Sequence, residues 1–95
     1  MAAYIVATVH ITDPAAFALY QKGVAGLSEK HGGEAVVRGA VSAILEGDGV
    51  VGERVVVSRF PSAAAARRYI DSAEYQAAKV LRGEAATVTM RLLED

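Results

Sequence analysis

Val9-His-Ile-Thr-Asp-Pro-Ala-Ala-Phe-Ala-Leu-Tyr20 carries the chain from a strand into a helix within a few residues. Before the switch, Ala3, Ile5, Ala7, Val9 and Ile11 alternate with Tyr4, Val6, Thr8 and His10, the period of two that marks a strand. Asp13 then offers a carboxylate to the first free amides of a helix, and Pro14 occupies a first position that needs no amide donor. Phe17, Tyr20, Val24 and Leu27 recur at helical spacing and form an apolar stripe. His31-Gly32-Gly33 closes this helix, because glycine readily takes the left-handed conformation at a helix end.

A second switch of the same kind lies at Val55-Val-Val-Ser-Arg-Phe-Pro-Ser-Ala-Ala64. Arg54 to Phe60 reads as a strand that is apolar on both faces. Pro61-Ser62 ends it, and Ser62 caps a helix reaching about Ile70. Ser72 caps another short helix reaching about Gly83, and Thr87 to Leu93 alternates again as a last strand. Glu34 to Arg38 is a short second strand, and Glu46-Gly-Asp-Gly49 is a turn. Val41 to Leu45 fits either an extension of the second strand or a separate pairing.

The resulting order is β-α-β-β-α-β. Crossovers between parallel strands are right-handed in nearly all proteins, so both helical regions fall on one face of the sheet. The expected fold is α+β and ferredoxin-like, with a four-stranded antiparallel sheet and helices on one face. Ninety-five residues make one domain, 1–95.

A chain of this length buries only about 60–65% of the surface its unfolded form exposes. Yet 53% of the residues are hydrophobic. The uncovered sheet face must carry either Val55 and Val57 or Val56 and Phe60. A second copy packed sheet to sheet would cover it, so a homodimer is expected. A monomer with a semi-polar open face, softened by Thr8, Thr87 and Thr89, is the alternative.

Ten basic against eleven acidic residues give a net charge of −1. The only adjacent basic pair is Arg67-Arg68, so nucleic acid is not an expected partner. No cysteine is present, which removes disulfides and thiolate catalysis. The start of the chain does not read as a signal peptide, and no apolar run approaches the ~20 residues of a membrane span. A soluble cytoplasmic protein without a membrane role is the expectation.

Several stretches in order carry a resemblance to a known family. They are Tyr4-Ile-Val, Thr12-Asp-Pro14, Phe17 with Tyr20, His31-Gly-Gly33, Val37-Arg-Gly39 and Leu45-Glu-Gly47. Glu53-Arg-Val-Val-Val57, Phe60-Pro-Ser62 and Ser72-Ala-Glu-Tyr-Gln-Ala-Ala-Lys79 continue the series. The chain resembles the domain-of-unknown-function 1330 family of the dimeric α/β-barrel superfamily. That resemblance implies a barrel formed from two sheets across a dimer. Superfamily relatives include cofactor-free monooxygenases, small isomerases and lactonases, haem-degrading enzymes and members without an assigned activity, so the reaction stays open. Arg59 stands where an acidic residue is common in the family.

The residues that offer chemistry are few. His10, at the end of the first strand, has the side chain of a general base at neutral pH, or is simply a solvated histidine. His31 sits in the last turn of its helix, where a positive charge favours the dipole. The two histidines lack metal-ligand spacing, and no metal site is expected. Arg38 offers a planar fork for a carboxylate or phenolate, and Glu46 an acid or base. The alternative for that pair is an ion pair pinning the loop to the sheet.

Tyr20 falls on the apolar helix stripe, as a core residue with its hydroxyl at the rim. Tyr75 is placed either in the core or along a cleft. Gly47-Asp-Gly49 lacks a following helix and is a turn, while Ser62 and Ser72 are caps rather than nucleophiles. The alanine run Ala63 to Ala66 beside Tyr69 is the one hint of a pocket. The functional expectation is a cofactor-independent enzyme acting on a small organic acid or a phenolic or polyketide-like molecule. Glu46 and His10 would be catalytic, and Arg38, Tyr75 and Tyr20 would bind substrate. A homodimeric metabolite-binding or assembly domain is the alternative.

Overall fold

The computed structural model describes residues 2–95. Four strands form one antiparallel sheet: β1 (Ala3–Ile11), β2 (Glu34–Ala40), β3 (Arg54–Phe60) and β4 (Ala86–Glu94). Their order is β2-β3-β1-β4, so β1 is central and each strand following a helical region enters at an edge. Helices α1 (Pro14–Val24), α2 (Leu27–Lys30), α3 (Ala63–Asp71) and α4 (Ala73–Arg82) supply the second layer. The molecule is a slab of 32 × 32 × 15 Å, which leaves depth for one sheet and one helix layer only. This is the ferredoxin-like α+β fold expected from the element order.

The local signals work as chemistry requires. The Asp13 side chain accepts a hydrogen bond from the Ala16 amide, with Pro14 directly after it. Ser62 accepts from the Ala65 amide and Ser72 from the Tyr75 amide. The Ser72 hydroxyl also donates to the Tyr69 carbonyl at 2.7 Å, so one serine ends α3 and starts α4. Thr12 ties the start of the first crossover to the end of the last, donating to the Glu84 carbonyl at 2.8 Å.

One element differs from expectation. The first helix does not run unbroken to His31-Gly-Gly. Gly26 takes φ +72°, a conformation that costs other residues a steric clash, and splits the stretch into α1 and the single turn of α2. Leu27 still points into the core, because the break re-aims the chain without losing the stripe. His31 is the C-cap residue of α2. Two residues on, Gly33 has no substitute: a Cβ there would stand 2.7 Å from the Phe60 ring and 2.9 Å from the Ser28 carbonyl oxygen.

The two faces of the sheet follow from register. Ile5, Ala7 and Val9 of β1 lie level with Ser58, Val56 and Arg54 of β3 and with Leu92, Met90 and Val88 of β4. This face meets the helices. Its core has two clusters, one around Val9, Phe17, Tyr20 and Ala78 and another around Ile5, Phe60, Ala65 and Ala66. The other face carries Tyr4, Val6, Thr8 and His10 level with Arg59, Val57 and Val55 of β3 and with Leu93, Arg91, Thr89 and Thr87 of β4. Of the two pairs left open by the sequence, Val55 and Val57 are therefore the uncovered one.

A bulge in β2 settles a further point. Ala35 lies opposite Ser58, yet Val37 lies opposite Val57, so Val36 is an extra residue in the ladder. In an unbulged ladder of the same residues, Val36 would stand opposite Val57 and Arg38 would face Val55 on the open side. With the bulge, Arg38 pairs with Val56 and shares the helix-covered face. Beyond Ala40 the ladder gains one more step through the Val41 amide to the Glu53 carbonyl at 2.8 Å. Residues 42–53 are then irregular, so Val41 to Leu45 forms no strand of its own.

Candidate functional site

The helix layer does not fill the space above the sheet. Many of the buried side chains between the two layers are alanine: Ala7 on β1 and Ala86 on β4 from the sheet, Ala65 and Ala66 on α3 and Ala78 on α4 from the helices. A cavity of about 280 Å³ remains between α1–α2 and the sheet. Its walls are apolar at Ile5, Val9, Phe17, Val88 and Met90. Its polar groups come from different elements: Tyr20 and Gln21 on α1, Glu29 on α2, Arg38 on β2, Ser58 on β3 and Tyr69 on α3.

Tyr20 is buried, and a chain of polar contacts stands behind it. Its hydroxyl donates to the Tyr75 oxygen at 3.5 Å. Arg82 donates to the same oxygen, also at 3.5 Å, and its guanidinium carbon lies 5.1 Å from the centre of the Tyr20 ring. The Tyr75 hydroxyl in turn donates to the Met90 sulfur at 3.6 Å. Tyr69 packs edge-on to Tyr75 with ring centroids 5.2 Å apart and stacks on Phe60 at 5.7 Å.

These environments set the protonation of the phenols. Burial, and then the contact with Tyr75, holds the Tyr20 hydroxyl protonated well above the ordinary phenol range, while Arg82 pulls the other way. Burial, with Tyr75 and the Glu29 charge adding to it, pushes Tyr69 up to about 12. Both are neutral hydrogen-bonding groups at physiological pH and neither is a base.

The residues singled out in the sequence separate into two groups. Arg38 and Tyr20 line the cavity. Tyr75 is buried directly behind Tyr20 rather than along a cleft. Glu46 lies exposed in the irregular segment after β2 and does not line the cavity, and His10 is exposed on the opposite face, level with Thr87. Among the described residues no ion pair joins Arg38 to Glu46. The bulge turns Arg38 toward the cavity, and the acid stays out at the loop. The ion pairs present are Lys30–Glu74 at 2.8 Å and Arg59–Glu34 at 3.9 Å. Arg59 thus reaches from β3 to Glu34 on the edge strand β2, across the open face.

Arg82 was not singled out in the sequence, because a basic residue in a last helical turn already has an explanation in the helix dipole. Its spacing carried the signal: seven residues after Tyr75 is two turns on, on the same face of α4. Tyr69 was noticed only as a bulky neighbour of the alanine run.

A single four-stranded antiparallel sheet with helices on one face defines a protein of the ferredoxin-like α+β class. The chain belongs to the family described as Domain of unknown function (DUF1330), which matches residues 2–95. No curated protein matches it. Among solved structures it is similar to a protein of unknown function from Rhodopseudomonas palustris, with TM-score 0.79 and 22% identity over 99% of this chain and 82% of that one. It is also similar to SnoaB, a cofactor-independent oxygenase from Streptomyces nogalater, with TM-score 0.69 and 15% identity over 99% and 92% of the two chains. A dimeric protein of unknown function and ferredoxin-like fold from Bacteroides fragilis matches with TM-score 0.67 and 13% identity over 99% and 96%. Likeness at these identities is one of fold. Among the described residues no helix is long and apolar enough to cross a membrane.

Proposed function

We propose that the protein is a homodimer whose helix-side cavity binds a small organic acid or phenol. The observation that carries this reading is the cavity itself: about 280 Å³, walled by aliphatic and aromatic side chains, with Arg38 and neutral tyrosine hydroxyls among a few polar groups. Such a balance suits a molecule with an apolar ring and one or two oxygens. The volume lies just below the roughly 300 Å³ at which drug-sized pockets begin, so a one-ring compound fits better than a polyketide of several rings. Arg38, exposed where the cavity meets solvent, attracts the acid; Tyr20 meets it inside.

The open face supports the homodimer. Val6, Val55 and Val57 lie side by side there, with Val37 53% exposed and Leu93 52% exposed on the flanking strands. A second copy is the covering that such a face fits best.

A second reading makes the protein a cofactor-independent enzyme on the same class of molecule. The fold shared with SnoaB favours it, as a likeness of class. In that reading Glu46 moves protons only where a second copy carries it to the cavity, which it does not reach within one protomer, and His10, on the open face, acts only at the seam between the two sheets.

Native mass spectrometry of freshly purified protein, followed by titration with benzoate and 4-nitrophenol, tests both. A dimer that retains a small aromatic acid or binds these probes, with affinity lost in Arg38→Ala, is the expected result. A monomer, or a dimer to which neither probe binds at millimolar concentration, would overturn the binding reading. Turnover of a retained ligand under air would decide for the enzyme.

A further inference from the structure

Arg82 is a cation turned into the protein without an acid. Among the described residues its guanidinium makes no ion pair, and its buried Nε has no hydrogen-bond partner. What it does touch is the Tyr75 hydroxyl and the face of Tyr20. Arg82 is half-buried, and a positive charge partly withdrawn from water without a counter-charge carries a cost that falls when an anion arrives.

The contacts lead from Arg82 toward the cavity. Arg82 donates to Tyr75, Tyr75 lies 3.5 Å from the Tyr20 oxygen, and Tyr20 is one of the residues that line the cavity. Both 3.5 Å contacts are long, so little holds either hydroxyl in its present rotation. Hydroxyl hydrogens turn to suit their partners. Tyr75 can swing its hydrogen from the Met90 sulfur to Tyr20, and Tyr20 can swing its own into the cavity. The sequence then runs guanidinium to Tyr75, Tyr75 to Tyr20, and Tyr20 to an oxygen of the ligand, each group donating to the next.

We propose that Tyr20, backed by Tyr75 and Arg82, is an anion-holding pole inside the cavity, and that the ligand binds there through a carboxylate or phenolate oxygen. This rests on the cavity being a binding site and adds which end of it holds the charge. Tyr20 touches the ligand, whereas Tyr75 and Arg82 are positioning residues that act through it. The other charged groups lining the cavity, Glu29 and Arg38, carry opposite signs. Arg82 from behind the wall therefore decides the sign that the interior favours. Tyr69 also faces this cluster, as a neutral phenol whose raised ionisation keeps a competing negative charge away.

4-Nitrophenol reads this out directly, since its anion absorbs in the visible and its neutral form does not. Wild-type protein is expected to bind it as the phenolate at a pH where the free compound is mainly neutral. Arg82→Gln and Tyr75→Phe should each weaken binding by about ten- to a hundredfold, the factor carried by a lost charge-assisted hydrogen bond. They should also return the bound probe to its neutral spectrum, and Arg82→Lys should restore part of the phenolate signal. Arg38→Ala should weaken binding without changing the bound spectrum.

Thermal melts show whether each variant is folded, and Arg82→Gln serves if Tyr75→Phe is not. Probe bound as the neutral phenol, or bound phenolate unmoved in Arg82→Gln, would overturn the pole while leaving the cavity a binding site. No binding by wild type would overturn both.

Discussion

The same strand makes both faces of this sheet, yet the two have opposite fates. Ala3, Ile5, Ala7 and Val9 of β1 are all buried, while Tyr4, Val6 and Thr8 between them remain half-exposed and His10 fully so. Val6, paired with Val57 across β1 and β3, is no less hydrophobic than Val9. What separates them is the covering. Helices lie over one face and cover it incompletely, leaving a cavity between α1–α2 and the sheet. The other face has no layer of this chain to cover it. Hydrophobic burial depends on what is removed from water, and a sheet with one helix layer needs a second partner for its second face.

Four outcomes test that contrast. The largest belongs to Phe60, 1% exposed, stacked on Tyr69 and packed against Gly33. Phe60→Ala should cost roughly 3–5 kcal/mol by removing buried contacts and leaving a void. A drop of at least about 12 °C in thermal midpoint follows for a domain of this size. A smaller drop would mean the helix layer collapses onto the gap.

The open face should behave otherwise. Val57→Asp places an unpaired carboxylate in the proposed interface, a burden of several kcal/mol, and should raise the dimer dissociation constant by about a thousandfold or more. Sedimentation should then show a folded monomer. Unchanged assembly would move the interface elsewhere.

Alkali should act on the covered face. Tyr69 has a folded pKa of about 12, above its ordinary 10.0. For an acid whose folded pKa is raised, stability is fully present below pH 10 and is lost as pH rises from there through about 12. Denaturant titrations across this window should show falling stability in the wild type and a shallower fall in Tyr69→Phe. Equal slopes would place the alkaline weakness outside the helix layer.

The smallest effect tests the bulge itself. Deleting Val36 removes the extra residue and leaves Val37 level with Val57 and Arg38 level with Val56, so Arg38 should keep the cavity face. Probe affinity should then stay within about threefold of wild type, against a loss of about tenfold in Arg38→Ala. A loss as large as that of Arg38→Ala would mean that the bulge shapes the cavity beyond placing Arg38.

Much of the fold was legible because its signals are local. Asp13-Pro14, Ser62 and Ser72 each meet the amide of a residue a few positions on, and the strand ends at Phe60-Pro61 need no distant information. Legibility stopped where local rules gave way to distant ones. Gly26 looked like any glycine on a helix, and only its φ revealed the break. The pairing of Arg38 with Glu46 was plausible along the chain, where eight residues separate them, but failed in space because they lie on different parts of the fold. Arg82 escaped notice because a helix end already explained it.

The amino-acid sequence by itself determined the order of elements, the caps and the surplus of apolar surface, since these depend on side chains and their near neighbours. Tertiary structure alone decided which side of the sheet each functional group occupies. Side chains alternate with a period of two, so a single extra residue, Val36, reverses every position after it. That count is set by pairing with β3, twenty residues away. The same pairing sends Arg38 to the cavity, while the register of β1 on β4 leaves His10 on the open face and the packing of α1 on α4 lets Tyr20, Tyr75 and Arg82 meet from two helices.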